Sequence, residues 1–177
     1  ALEGLVDELD SPGGFSFDTE TTSIKAMAAD LVGISFSNAP HTGWYVPVGH
    51  DEGKQLPLER VLDALRPIME SESVPKIAHN ANFDMTVLAR HGLKVNNLVF
   101  DTMVAAQLTG HNTLELKQLA FQLLNEEMTP IANLIGRGAK QITMAEVSIA
   151  DAAAYAAAEA DDRVEAIIPV SPVRLSY

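Results

Sequence analysis

No cysteine occurs in the 177 residues, so neither disulfides nor thiolate metal sites contribute to this chain. Long hydrophobic runs are missing too, and none approaches the roughly 20 residues that a membrane-crossing helix needs. The opening "ALEGLVDELD" carries neither the basic region nor the apolar stretch of a signal peptide. Together these absences fit a cytoplasmic protein with no membrane partner. Basic residues are scarce: 12 lysines and arginines stand against 24 aspartates and glutamates, for a net charge of −12. A generic nucleic-acid binder would show a basic patch instead. An acidic, soluble surface is the plain reading of that charge. The same imbalance also suits a protein that gathers carboxylates around divalent cations and meets a polyanion through the metal. No internal repeat and no low-complexity linker interrupts the chain.

What is present is a globular composition, 47% hydrophobic and 20% charged. The length suits a single domain spanning 1–177, able to bury about two thirds of its unfolded surface. Leu2, Leu5, Val6 and Leu9 share one face of a short helix over 1–10, and "SPGG" ends it. "GFSFDTETT" alternates as a strand, and "DLVGISFSN" and "GWYVPVGH" give two more, joined as an antiparallel hairpin by "NAPHTG". Pro47 places the third strand at an edge or a strand end. "PLERVLDALRPIMES" reads as an amphipathic helix with its proline in the first turn, and "VPKIAHN" as a short buried strand. "NFDMTVLARHG" is a helix capped by Gly92, "LVFDTMVAAQLTG" passes from strand to helix, and "TLELKQLAFQLLN" is helical. "MTPIANLIGRGAKQ" is a loop with some helical turn, and "TMAEVSIADAAAYAAAEADDRVEAI" reads as one helix. Three strands followed by alternating strands and helices predict an α/β fold, a mixed β-sheet flanked by helices.

Acids recur in otherwise apolar segments. In "FDTET", Asp18 and Glu20 stand two apart on a strand, so both leave the same face and repel unless they share a proton or a cation. A solvated strand face is the alternative, less natural between phenylalanines. Asp84 in "HNANFD" falls in the first turn of a helix, where stabilising the helix dipole is the common role. Asp101 in "FDT" reads as the N-cap of the following helix. In "DAAAYAAAEADD", Tyr155 and Glu159 are i and i+4 and share a face, Asp161 points well away, and Asp162 lies near that face. Hard cations such as Mg²⁺ and Mn²⁺ take oxygen ligands, and phosphoryl chemistry often uses two of them roughly 4 Å apart. A tyrosine on the same face could orient or deprotonate an attacking water.

In this order the segments resemble the proofreading 3′–5′ exonuclease domain of family A, polymerase I-type DNA polymerases. That domain belongs to the DnaQ-like, DEDDy group with a ribonuclease H-like fold. "FDTETTSI" is similar to its first motif and "KIAHNANFDMTVLARHGL" to its second. "DLVGISFSNAPHTGWYVPVGHD" looks like the intervening hairpin, and "FDTMVAAQL", "IGRGAKQITMAEV" and "YAAAEADD" complete the series. The resemblance implies that Asp18 and Glu20 are metal ligands, with Asp18 bridging two Mg²⁺ or Mn²⁺ ions, Zn²⁺ being admissible at one site. It implies that Asp84 serves the second ion through water and that Tyr155 positions the nucleophilic water. Asn80 corresponds to the family asparagine beside the substrate, Ile24 to an apolar residue against the terminal base, and Thr21 to a contact with the terminal nucleotide. The implied reaction is hydrolysis of the 3′-terminal phosphodiester of single-stranded DNA to nucleoside monophosphates. The implied partner is a polymerase domain of the same parent chain, from which this domain is excised.

One position departs from the pattern. The third motif is usually Tyr-x-x-x-Asp, and here Glu159 takes the aspartate's place. Glutamate remains a competent ligand, but its extra methylene displaces the carboxylate by about 1 Å or more, a misplacement that costs about 100-fold in rate. Two rival expectations follow: an exonuclease fold that has lost turnover and only supports a polymerase, and an RNA 3′-end nuclease of the same fold.

Overall fold

The computed structural model describes residues 2–160. Five strands form one mixed sheet: β1 (Phe15–Thr21), β2 (Leu31–Ser37), β3 (Trp44–Pro47), β4 (Lys76–Ala78) and β5 (Leu98–Asp101), in the order β3-β2-β1-β4-β5. The β1–β2 and β2–β3 pairs are antiparallel, and β4 and β5 add in parallel. Pro47 ends β3 at the sheet edge, where its missing N–H costs no ladder bond. This is the mixed α/β sheet that the strand and helix order predicts, in the ribonuclease H-like arrangement that the resemblance implies.

Helices cover both faces. On one, Phe15 and Phe17 pack against α1 (Leu2–Leu9), α2 (Leu58–Met69) and α3 (Ala81–Arg90), and the Phe15 and Phe36 rings meet edge-on at 5.7 Å. Pro57 stands one position before the first turn of α2, at its N-cap. Gly92, at φ +77°, follows α3 in the left-handed conformation that glycine adopts without strain. Beyond β5 come α4 (Thr102–Leu108), α5 (Leu116–Leu124) and the single turn α6 (Ala132–Ile135). On the opposite face α7 (Ile149–Glu159) packs over β1, β2 and β3, with Val32 of β2 against Val147, Ala152 and Tyr155. Its alanines permit a close approach: a Cβ on Gly43 would lie 2.8 Å from the Ala157 methyl. The end of α7 is tied to the central strand, where Ser16 Oγ donates to the Ala160 carbonyl at 2.6 Å.

One element differs from its reading. Residues 143–160 are not a continuous helix: a 3₁₀ turn, Met144–Glu146, is followed by extended Val147 and Ser148 before α7 begins. Two helix-start signals in tandem explain the break. In T-M-A-E the Glu146 carboxylate accepts from Thr143 N–H at 2.7 Å, and in S-I-A-D Ser148 Oγ accepts from Asp151 N–H at 3.2 Å. The remainder of the predicted helix, with Asp161 and Asp162, lies outside the described residues. No helix among the described residues is long and apolar enough to cross a membrane.

Candidate active site

β1 is the central strand, yet it outruns β4, which pairs only with Phe15 and Ser16. The next stretch of β1 therefore lies open on that side, and α3 fills the gap. Asp84 Oδ1 takes the Thr19 N–H at 3.0 Å and the Thr19 hydroxyl at 2.5 Å, so a carboxylate replaces the missing strand. Asp84 is only 2% exposed. Asp18 and Glu20, flanking Thr19, project toward α7. Ligand oxygens of Asp18, Glu20 and Glu159 all lie within 4.8 Å of one another, and Asp84 does not join this trio.

Asp101 sets where α3 starts. Its side chain accepts from Met103 and Val104 as the cap of α4, and from Asn80 N–H at 3.1 Å and Ala81 N–H at 2.9 Å at the head of α3. The N-cap reading of Asp101 thus covers half of its work. Asn80 sits in the left-handed region, at φ 60°, where those bonds hold it.

The electrostatics are those of anions crowded out of water. Desolvation, then the fields of Asp84, Glu159 and Glu20, push the Asp18 carboxyl well above its usual range. Desolvation and then Glu159 raise Glu20 to about 8, Lys117 partly offsetting them. Desolvation lifts Asp84 to about 7 against the lowering effect of its Thr19 bonds. Burial and the neighbouring Glu159 hold the Tyr155 phenol far above its ordinary value, in its protonated form. That hydroxyl donates to Glu159 Oε1 at 2.8 Å.

Glu20 Oε1 is buried and has no hydrogen-bond partner. Across the ladder Glu20 faces Gly33, and Tyr45 lies over Gly33 so closely that a Cβ there would sit 2.2 Å from its hydroxyl. The Tyr45 hydroxyl is 2.7 Å from His50 Nε2, and His50 Nδ1 is 2.9 Å from the Val147 carbonyl. In the tautomer that donates Nδ1–H to Val147, the Tyr45 proton goes to His50 and none is left for Glu20. An orphaned buried carboxylate oxygen beside two further acids suits a hard divalent cation, which wants oxygen ligands and cancels their repulsion.

Asp18, Glu20, Thr21, Ile24, Asn80, Asp84, Tyr155 and Glu159, the residues singled out from the sequence, all line one open cleft of about 830 Å³. Three others were not foreseen. Lys117 reaches in from α5, donating to the Tyr155 hydroxyl at 2.8 Å and pairing with Glu159. Ile131 and Ile142, 43% and 37% exposed, stand with the 94% exposed Ile24 around the cleft. Apolar residues in a segment without periodicity give no sequence signal of this kind, and neither does one lysine on an amphipathic helix.

A family model described as 3′–5′ exonuclease matches residues 1–164. DNA polymerase I of Chloroflexus aurantiacus is 51% identical over 162 residues, covering 90% of this chain and 17% of the relative. DNA polymerase I of Pseudomonas aeruginosa is 33% identical over 167 residues, covering 90% of this chain and 18% of the relative. The chain thus spans under a fifth of the length of these relatives. In three dimensions it is similar to Escherichia coli RNase D, an exoribonuclease involved in structured RNA processing. The TM-score is 0.67 at 14% identity, over 93% of this chain and 40% of that one, a likeness of fold alone.

Proposed function

The chain belongs to the 3′–5′ exonuclease family found in DNA polymerase I, and from that premise we propose that it hydrolyses the 3′-terminal phosphodiester of single-stranded DNA. It would do so as the proofreading domain of a longer, cytoplasmic polymerase chain, releasing nucleoside monophosphates. The observation that carries the reading is the acid trio together with the buried, unpartnered oxygen of its member Glu20. Asp18, Glu20 and Glu159 would hold a Mg²⁺ or Mn²⁺ ion, and Asp84, pinned by Thr19, would help to hold a second near Asp18. When bound, such ions neutralise the phosphate, lower the pKa of water and stabilise the leaving oxygen.

The chain's own residues do the rest. Tyr155 keeps its proton, which supports orienting the attacking water over deprotonating it. The water oxygen bonds to phosphorus, the bond from phosphorus to the 3′ oxygen breaks, and that oxygen leaves with a proton. Asn80 and Thr21 face the same cleft and offer hydrogen bonds to the terminal nucleotide. Ile24, Ile131 and Ile142 present apolar surface on which splayed bases can pack, which favours a single strand. With a net charge of −12 the domain binds a polyanion weakly by itself and relies on the polymerase domain for delivery. Glu159 would serve in the usual aspartate's place, and one of its carboxylate oxygens within 4.8 Å of those of Asp18 and Glu20 supports this.

The test is a 5′-labelled single strand incubated with Mg²⁺ or Mn²⁺, with and without EDTA, alongside Asp18→Ala. Metal-dependent shortening from the 3′ end that Asp18→Ala abolishes is expected, faster on DNA than on a matched RNA. Equal cleavage by wild type and Asp18→Ala would reject the assignment, and faster cleavage of RNA would move the substrate class.

A further inference from the structure

Lys117 is where the acid cluster finds its positive charge. Its ammonium lies 4.6 Å from the centre of the Tyr155 ring, donates to the Tyr155 hydroxyl at 2.8 Å and pairs with Glu159 Oε1. That same Oε1 also accepts a hydrogen bond from the Tyr155 hydroxyl, and the Glu159 carboxylate gathers with those of Asp18 and Glu20. The pair is no surface ornament, since the two side chains are only 19% and 16% exposed. The lysine comes from α5, an element outside the cleft lining, and reaches Tyr155 and Glu159 from behind it. His79, half-buried in the same cleft, is hydrogen-bonded to Thr102 Oγ1 at 2.7 Å and to the Leu114 backbone, which anchors the approach to α5.

We propose that Lys117 is a positioning residue that stands in for a divalent ion. With no ion bound it holds Glu159 and Tyr155 in register, and an ion binds by taking the Glu159 carboxylate from it. This rests on the metal-site reading above and adds a competition to it. A Glu159 carboxylate that kept its close ammonium contact while holding a divalent ion would bring the two cations near enough to repel each other. The extra methylene of Glu159 gives the carboxylate the freedom to pass between them. The lysine thereby keeps the empty site from collapsing and sets a threshold for ion entry.

The experiment is Mn²⁺ binding by isothermal titration without nucleic acid, on the wild-type chain, Lys117→Met and Lys117→Arg, with melting curves of each in EDTA. Removing a unit positive charge this close to the ion should tighten Mn²⁺ binding about 10-fold or more. The Lys117→Met chain should also melt at a lower temperature in EDTA, with Lys117→Arg staying near wild type in both readouts. A merely structural ion pair would lower the melting temperature without tightening Mn²⁺ binding. Unchanged or weaker Mn²⁺ affinity in Lys117→Met, or no Mn²⁺ binding by the wild type, overturns the proposal. Should Lys117→Met fail to fold, a wild-type crystal soaked in Mn²⁺ decides. Separation of Lys117 from Glu159 is expected there, and a retained contact beside a bound ion overturns it. Mn²⁺ binding that behaves as expected in a chain that leaves DNA intact would refute the nuclease reading and leave the role of Lys117 standing.

Discussion

Stripped of divalent ions by EDTA, the acid cluster is expected to favour the folded chain at pH 5 and to work against it at pH 8. In the folded state Asp84 holds its proton up to about pH 7 and Glu20 up to about pH 8, and Asp18 shifts in the same direction. In the unfolded state these carboxyls release their protons near pH 4. Between those limits the unfolded chain binds fewer protons, so stability falls as pH rises. The contribution is whole below about pH 4 and is lost as pH climbs through 7 and then 8. Protonating one acid relieves its neighbours, so the working magnitude is one displacement of about three pH units, or about 4 kcal/mol. For a chain of this length that corresponds to roughly 8–16 °C in melting temperature. His79 and His91, both held below the ordinary histidine value by burial, pull the other way as pH rises through the range near 6.5. They do so with or without metal, so the diagnostic quantity is the gap between melting temperatures in Mg²⁺ and in EDTA. Ions bind only the deprotonated acids and add about 2.7 kcal/mol at 100 times Kd. Calorimetric melts at pH 5, 6, 7 and 8 should show the gap widening steadily. A gap equal at pH 5 and pH 8 would refute the reasoning.

Thr19→Val keeps the shape of its side chain but removes a hydroxyl bond to buried Asp84. It should cost about 2 kcal/mol, seen as a melting temperature lowered by roughly 4–8 °C at pH 8 in Mg²⁺. Asp101→Ala strips the acceptor from four backbone N–H groups at the heads of two helices. A loss of about 2 kcal/mol or more is expected in urea denaturation, and a loss under 0.5 kcal/mol would show that water replaces the carboxylate. Ile24→Ala should leave stability within about 0.5 kcal/mol, because the side chain is exposed. It should raise KM for a single strand about 5-fold or more, and an unchanged KM would remove Ile24 from the substrate surface.

Much of this architecture was legible in the residues because burial imposes a period. The alternation of "FSFDTET" is the pleat of the central strand, and Pro47 marks β3 as an edge strand. Asp18 and Glu20 were readable as a pair for the same reason, and Tyr155 with Glu159 through the helical repeat. Lys117 was not, because its partners lie 38 and 42 residues away and nothing local distinguishes it from a solvated lysine. The break before α7 was legible in principle, in two successive capping signals, but helix propensity alone runs straight across it. Tyr45 and His50 escaped notice because their meaning depends on Gly33 in the neighbouring strand.

The cluster draws its acids from opposite ends of the described chain, Asp18 and Glu20 from the first strand and Glu159 from the last helix. On a ribosome the order of emergence is therefore part of the chemistry. About 75 residues separate Asp84 from Glu159, which at bacterial and eukaryotic elongation speeds is roughly 4–15 s of synthesis. During that interval the first three acids exist without the fourth. Docking of α7 is what brings Glu159 to Asp18 and Glu20, so on the proposed reading the site is complete only once this helix has emerged.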